Sequence, residues 1–273
     1  LNADYTPLTN HFRKRTIAAV SVQTRSIRYI GVPNRKSTPM ISFDSLSLSA
    51  HLLRAVQTQG YDAPTPIQQQ AIPLIISGID LAAQAQTGSG KTAAFVLPIL
   101  QRMADLTTEL TSKKIGVLII TPTRELALQI SETVNCLSQF AAPTPTVLSI
   151  IGGIAIGDQL SVLSSGVDIV VATPGRLIDL IRREAININH VHTLVLDEAD
   201  KLLDVGFNDE LTILLNALPS ERQNLLFSAT RGRMMIHLGM SGSLRVTDRE
   251  SLPRKHDHID IEFMDAMVLR FHD

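Results

Sequence analysis

The stretch Ala85-Gln86-Thr87-Gly88-Ser89-Gly90-Lys91-Thr92 constrains this chain more than any other. It follows the short apolar run Asp80-Leu81-Ala82-Ala83 and opens into Ala93-Ala94-Phe95-Val96-Leu97, which reads as strand, loop and helix. Gly88 and Gly90 permit a backbone tight enough to aim several N–H groups inward. The helix that follows adds the positive end of its dipole, so the loop is a cradle for an anion. In a loop of this pattern the lysine reaches β- and γ-phosphates and the adjoining hydroxyl ligates Mg2+, roles that fall to Lys91 and Thr92. Ala85 stands where the pattern usually begins with glycine. Read without its surroundings, the stretch is also compatible with a Gly/Ser loop carrying a stray lysine.

The remaining composition narrows the setting. At 273 residues, with 44% apolar and 19% charged side chains, the chain has the makings of one large or two small globular domains. A net charge of -1 supplies no bulk attraction for nucleic acid, so any such binding needs a local groove. The single cysteine, Cys136, excludes an intrachain disulfide, suits a reducing cytoplasm and reads as a small packing residue. There is no signal peptide pattern, and no apolar run approaches the roughly 18 residues of a membrane helix, so no membrane partner is expected.

Residues 1–39 differ from the rest. Seven basic residues (Arg13, Lys14, Arg15, Arg25, Arg28, Arg35, Lys36) face one acid, Asp4. The segment reads as a basic, poorly ordered extension or as translated sequence upstream of the true start, which Met40-Ile41-Ser42-Phe43 resembles. The other reading is an arm that grips phosphates.

From Met40 to Thr230, apolar β-rich runs alternate with amphipathic helical stretches. The expected strands are Lys114–Thr121, Thr146–Ile151, Val167–Ala172, Thr193–Leu196 and Asn224–Phe227, with helices such as Glu125–Phe140, Gly175–Arg183 and Asp209–Leu218 between them. That alternation predicts an α/β fold, a mostly parallel sheet with helices on both faces. Ligands of such sheets gather beyond the carboxyl ends of the strands. There the apolar run Thr193-Leu194-Val195-Leu196 ends abruptly in Asp197-Glu198-Ala199-Asp200. Carboxylates so placed are costly unless a cation or a proton transfer needs them. Asp197 suits a Mg2+ shell and Glu198 suits the base that orients an attacking water.

Asp-Glu-Ala-Asp downstream of Ala-Gln-Thr-Gly-Ser-Gly-Lys-Thr resembles the DEAD-box ATP-dependent RNA helicases, and among them the bacterial RhlE-type members. The likeness covers about residues 40–230 and implies a RecA-like P-loop NTPase domain, the first of two, with ATP and Mg2+ as cofactors. Gly60-Tyr61-Asp62-Ala63-Pro64-Thr65-Pro66-Ile67-Gln68 resembles the family's Q motif, with Phe43 as its upstream aromatic. An amide pairs bidentately with the N6/N7 edge of adenine, so Gln68 is expected to select the base, with Phe43 stacking and Tyr61 alongside. With them, Gln86, Thr87, Gly88, Ser89, Gly90, Lys91 and Thr92 complete the ATP-binding set. Glu198, Lys91 and Asp197 are the expected catalytic residues, and Thr92 and Asp197 the metal ligands. Pro122-Thr123-Arg124, Gly152-Gly153 and Thr173-Pro174-Gly175-Arg176 resemble the family's RNA-contacting motifs, implying single-stranded or duplex RNA held by its sugar-phosphate backbone. Taken singly, each is also an ordinary helix-capping turn. Ser228-Ala229-Thr230 resembles motif III, whose hydroxyls would couple to Asp200.

Beyond Thr230 this resemblance stops, and the family's second RecA-like domain, with its arginine finger, is the missing partner. Hardly any hydrolysis and no unwinding are therefore expected of these residues alone. Residues 231–273 hold four of the eight histidines and five of the seven methionines. They resemble an internal β-rich piece of formamidopyrimidine-DNA glycosylase, in which Met240 would match a base-replacing wedge. His256 and His258 are too few for a zinc site. Both likenesses break off mid-domain, the mark of a chimeric or truncated chain. Two other functions stay open on these residues, a non-catalytic nucleotide or nucleic-acid binder and a damaged-DNA binder acting through the tail.

Overall fold

Val117–Ile120, Ile169–Ala172 and Thr193–Leu196 are buried at every position. Strands that bury both faces need helices above and below, which a parallel sheet with crossover helices provides. The computed structural model describes residues 27–31, 41–105, 114–204 and 208–229, with the backbone of 259–260 and 270–271. Its strands are β1 (Arg28–Gly31), β2 (Leu81–Gln84), β3 (Val117–Ile120), β4 (Val147–Ile150), β5 (Ile169–Ala172), β6 (Thr193–Leu196) and β7 (Gln223–Ser228). Its helices are α1 (Ala50–Thr58), α2 (Pro66–Ile76), α3 (Lys91–Asp105), α4 (Arg124–Ser138), α5 (Ile156–Ser165), α6 (Pro174–Arg182), α7 (Ala199–Asp204) and α8 (Asn208–Ala217). The seven strands lie in the order β1-β2-β7-β6-β3-β5-β4, and every pairing is parallel.

The two-residue period of a strand divides the core into two layers. Val117, Ile119, Val195, Leu225 and Phe227 face the layer that includes Leu52, Ile67, Ile72, Phe95 and Ile130, from α1 to α4. Leu118, Ile120, Leu194, Leu196 and Leu226 face the layer that includes Leu177, Leu180, Leu202, Leu211 and Leu214, from α6 to α8. Phe95 of α3 and Phe227 of β7 are fully buried, with ring centroids 5.1 Å apart and tilted by 56°. At the amino end of the sheet, the Gln223 amide donates to the carbonyls of Ile75 (3.2 Å) and Ile79 (2.8 Å). The Asp80 carboxylate accepts from the Asn224 backbone N–H at 2.9 Å. These bonds join the start of β7 to the approach of β2 and fix their register.

Residues 28–31 correct one expectation. They form the edge strand of the sheet and do not share the disorder expected of residues 1–39. Arg28 N–H donates to the Asp80 carbonyl at 2.8 Å, Ile30 is buried, and the Tyr29 hydroxyl donates to Gln84 Oε1 at 2.6 Å. A Cβ at Gly31 would lie 2.8 Å from that hydroxyl, so the bare glycine lets the tyrosine ring lie along the strand. In the tail, the backbone strands β8 (Ile259–Asp260) and β9 (Arg270–Phe271) pair antiparallel. Thr230, Met240, His256 and His258 lie outside the described residues.

Replacing Phe227 by Ala removes a fully buried ring and its partner contact. We expect a loss of about 3–5 kcal/mol in urea unfolding. A loss below about 1 kcal/mol would show that the two rings do not anchor α3 to the sheet.

Candidate functional site

The carboxyl ends of six strands form one rim, and every described motif residue with expected chemistry except Phe43, Tyr61 and Gln68 ends or follows one of them. At β2 the chain leaves the sheet as Ala85 N–H donates to the Ser228 carbonyl of β7 at 3.1 Å. Gln86, Thr87 and Gly88 are exposed, and Gly88 and Gly90 have φ of +80° and +87°. A Cβ at Gly90 would lie 2.5 Å from Gln68 Nε2, in a backbone region that side chains avoid, so only glycine fits. The reason is Gln68 itself. Its Oε1 accepts from Thr65 N–H (2.9 Å) and its Nε2 donates to the Gly90 carbonyl (3.1 Å), which clamps the Pro64–Pro66 turn onto the loop. That clamp was not anticipated from sequence. The amide keeps one N–H and one lone pair for a further partner. Tyr61 is half-buried against the core, whereas Phe43, expected to offer a stacking face, is only 5% exposed within the core layer.

Lys91 opens α3 and is buried, its ammonium donating to the Ala85 carbonyl at 2.8 Å. Burial holds its pKa below the ordinary lysine value, against the opposing pull of Asp197, Glu198 and Asp200. Asp197 follows β6, with its N–H on the Ile120 carbonyl of β3 at 2.9 Å. Burial pushes its carboxyl up to about 6, against the charge of Lys91 and a hydrogen bond from the Glu198 N–H. Oδ1 of Asp197 is buried without a hydrogen-bond partner. An acceptor left so costs about 1–3 kcal/mol, which a cation or donor would relieve.

Glu198 has φ +49°, a left-handed conformation that costs a non-glycine residue roughly 1–3 kcal/mol and that clusters at functional sites. Its Oε2 accepts from Lys201 Nζ at 2.8 Å, the carboxylate side chain 8% exposed and the lysine 58%. That hydrogen bond and charge hold the Lys201 pKa above its ordinary value. Lys201 is a site neighbour that the sequence reading missed, although its place one helical turn after Glu198 was a usable signal. The short helix α7 packs against β7, which sets Asp200 and Ser228 on adjoining elements.

The donor set fits a Mg2+ ion that arrives with a nucleotide. Among the described residues no group of three or more His, Cys, Asp or Glu converges as a metal cage. Mg2+ is ordinarily held by one or two carboxylates, waters and substrate phosphates, which Asp197 and the Thr92 hydroxyl would complete.

The other half of the rim carries the second group of residues. Thr123 caps α4 by accepting from Leu126 N–H at 3.3 Å, which leaves Arg124 exposed in the first turn. Its guanidinium lies over the turn after β4, so a Cβ at Gly152 would be 3.1 Å and one at Gly153 2.5 Å from its nitrogens. Arg176 Nη1 donates to the Ile154 carbonyl of the same turn at 3.0 Å. Pro174 begins α6, and the exposed Gly175 has nothing within 4 Å of a built Cβ. Arg124 and Arg176, from the turns after β3 and β5, thus meet the loop that holds Gly152 and Gly153.

Replacing Asp197 by Asn tests the orphan carboxylate. A folded pKa raised above the unfolded one penalises the native state increasingly from about pH 4 to 6 and fully above that. We therefore expect the variant to be more stable than the parent at pH 8, by up to about 3 kcal/mol, and equal to it near pH 4. Urea melts at the two pH values give the answer. An Asn variant less stable at pH 8 would mean that the carboxylate is already satisfied.

Comparison with known proteins adds sequence evidence to this geometry. The DEAD/DEAH box helicase family model matches residues 65–236. That of the formamidopyrimidine-DNA glycosylase N-terminal domain matches residues 218–273. The chain is 48% identical over 190 residues to the probable ATP-dependent RNA helicase ddx27 of Dictyostelium discoideum, covering 69% of this chain and 24% of that protein. It is 45% identical over 190 residues to the DEAD-box ATP-dependent RNA helicase CshA of Bacillus subtilis, covering 70% and 37%. With the ATP-dependent RNA helicase DRS1 of Saccharomyces cerevisiae it shares 41% over 234 residues, covering 80% and 31%. A crystal structure of a DEAD box protein from the hyperthermophile Methanococcus jannaschii superposes with a TM-score of 0.62 at 38% identity, over 69% of this chain and 50% of that one. The chain thus spans well under half the length of these curated relatives. With a family match across more than half of its residues, on a parallel sheet whose rim carries the family's motifs, the chain belongs to the DEAD/DEAH box helicases.

Proposed function

We propose that these residues form the nucleotide-binding half of an ATP-dependent RNA helicase, a RecA-like domain that binds Mg·ATP and the RNA backbone on one rim. The observation that carries the reading is the buried, unpartnered Oδ1 of Asp197 within Coulombic reach of Lys91, beside an exposed glycine loop. On ATP binding, the loop N–H groups of Gln86, Thr87, Gly88, Ser89 and Gly90 face the phosphates. Lys91 exchanges the Ala85 carbonyl for a phosphate oxygen. Asp197 and Thr92 would hold Mg2+, which would supply charge neutralisation to the phosphates. Glu198, released from Lys201, orients the attacking water and accepts its proton. The free N–H and lone pair of Gln68 read adenine beside Tyr61, and Phe43 braces that turn from the core.

Pro122, Thr123, Arg124, Gly152, Gly153, Thr173, Pro174, Gly175 and Arg176 hold single-stranded or duplex RNA through sugar and phosphate. Such contacts grip a strand without reading its sequence, in keeping with an aromatic content of only 4%. Asp200, Ser228 and Thr230 relay the state of the nucleotide toward that grip. A second RecA-like domain, implied by the family, closes over both ligands and separates short duplexes locally. Its arginine is typically worth about 10³–10⁵ in rate, so turnover without it is slow and is best followed as a single turnover. A reducing cytoplasmic setting suits the lone Cys136. Among the described residues no helix is long and apolar enough to cross a membrane.

Glu198→Gln separates catalysis from mere binding. We expect phosphate release from Mg·ATP in the presence of oligouridylate to fall by about 10²–10⁴-fold, with affinity for a fluorescent ATP analogue nearly unchanged. Equal phosphate release from the variant and the parent would leave a binding module in place of an enzyme.

A further inference from the structure

The loop joining β4 to α5 is held from three sides, and one of its supports has no part in the reading above. Arg124 lies over Gly152 and Gly153, and Arg176 holds the Ile154 carbonyl at the far end. At the near end Gln159, in the first turns of α5, donates from Nε2 to the Ile151 carbonyl at 2.9 Å. Gln159 is only 3% exposed, and its Oε1 is buried with no hydrogen-bond partner. A position that served packing alone would favour an apolar side chain over an amide with an unmet acceptor. What the amide provides is the bond to Ile151, immediately before a turn in which Gly153 takes φ +83°. Ile151 is itself buried, so its carbonyl has little access to water as a substitute.

We propose that Gln159 is a positioning residue for the RNA backbone. By anchoring the Ile151 carbonyl it sets the shape of the Gly152–Gly153 turn, and through that turn the place of the Arg124 guanidinium. This inference rests on the RNA-binding reading of the rim. It assigns the support of that site to a side chain that never meets the ligand.

The test uses the full chain, a short fluorescein-labelled oligouridylate, Mg2+ and a non-hydrolysable ATP analogue, read by anisotropy. Gln159→Met keeps the volume and removes the donor. We expect RNA affinity to fall about tenfold while affinity for the fluorescent nucleotide stays within about twofold. In a cycle with Arg124→Ala, the double variant should weaken RNA binding by less than the product of the two single effects, because both act on one turn. Gln159→Leu, apolar and equally unable to donate, should reproduce the loss if the methionine variant does not fold. An unchanged RNA affinity, a parallel fall in nucleotide affinity, or effects that simply multiply with Arg124→Ala would each overturn the assignment. If the parent chain binds no oligouridylate, the RNA reading falls and this inference with it. If the parent binds and Gln159→Met binds equally, only the inference falls.

Discussion

The carboxyl rim depends on one ammonium and one carboxylate held out of water within Coulombic reach of each other. Each loses hydration, and each opposes the shift that burial imposes on the other. Neither finds full satisfaction inside the chain, since Lys91 settles for a backbone carbonyl and Asp197 leaves an oxygen unmet. Isolated charges of this kind are among the most expensive groups a fold can bury. On the proposed function a triphosphate with its divalent cation would resolve both deficits together, so the groups that cost the fold stability are the ones that would favour the ligand. The left-handed backbone at Glu198 adds strain to the same few residues.

The order of the strands divides the labour along the rim. The residues proposed for nucleotide chemistry sit on β2, β7 and β6, whereas the turns that converge around Gly152 and Gly153 sit on β3, β5 and β4. The border runs between β6 and β3, where the N–H of Asp197 meets the carbonyl of Ile120. Four residues beyond Ile120 stands Arg124. One hydrogen bond and a four-residue step along the chain therefore join the proposed metal carboxylate to the proposed RNA-side guanidinium. Close packing on both faces of these strands leaves little room for either to move alone.

Much of this architecture was legible in the sequence, for a physical reason. Short apolar runs bounded by turn residues mark strands, and β3, β5 and β6 are buried at every position, so six strands stand out within a few positions of their observed limits. β1 did not, because an edge strand with one inward residue, Ile30, among basic neighbours carries no periodic signal. Its partner lies some fifty positions further along the chain. The rim residues were legible by type and family order, but their company was not. Nothing in the spacing foretells that the Gln68 amide grips Gly90, that Arg124 lies over Gly153 or that Gln159 holds Ile151. Each of those contacts is decided by tertiary neighbours. Lys201 is the exception, since helical spacing alone places it beside Glu198.

The strand formed by residues 28–31 has a practical consequence. It lies on the outer side of β2, pairing from Arg28↔Leu81 to Gly31↔Gln84, directly beside the element that leads into the glycine-rich loop. A version trimmed back to Met40 would bare the amides and carbonyls of β2 along that flank. Unsheltered margins of this kind recruit strands from other molecules, so the shortened protein is the one that would self-associate or precipitate. Twelve further residues of flanking chain, 28–39, separate a well-behaved preparation from a sticky one.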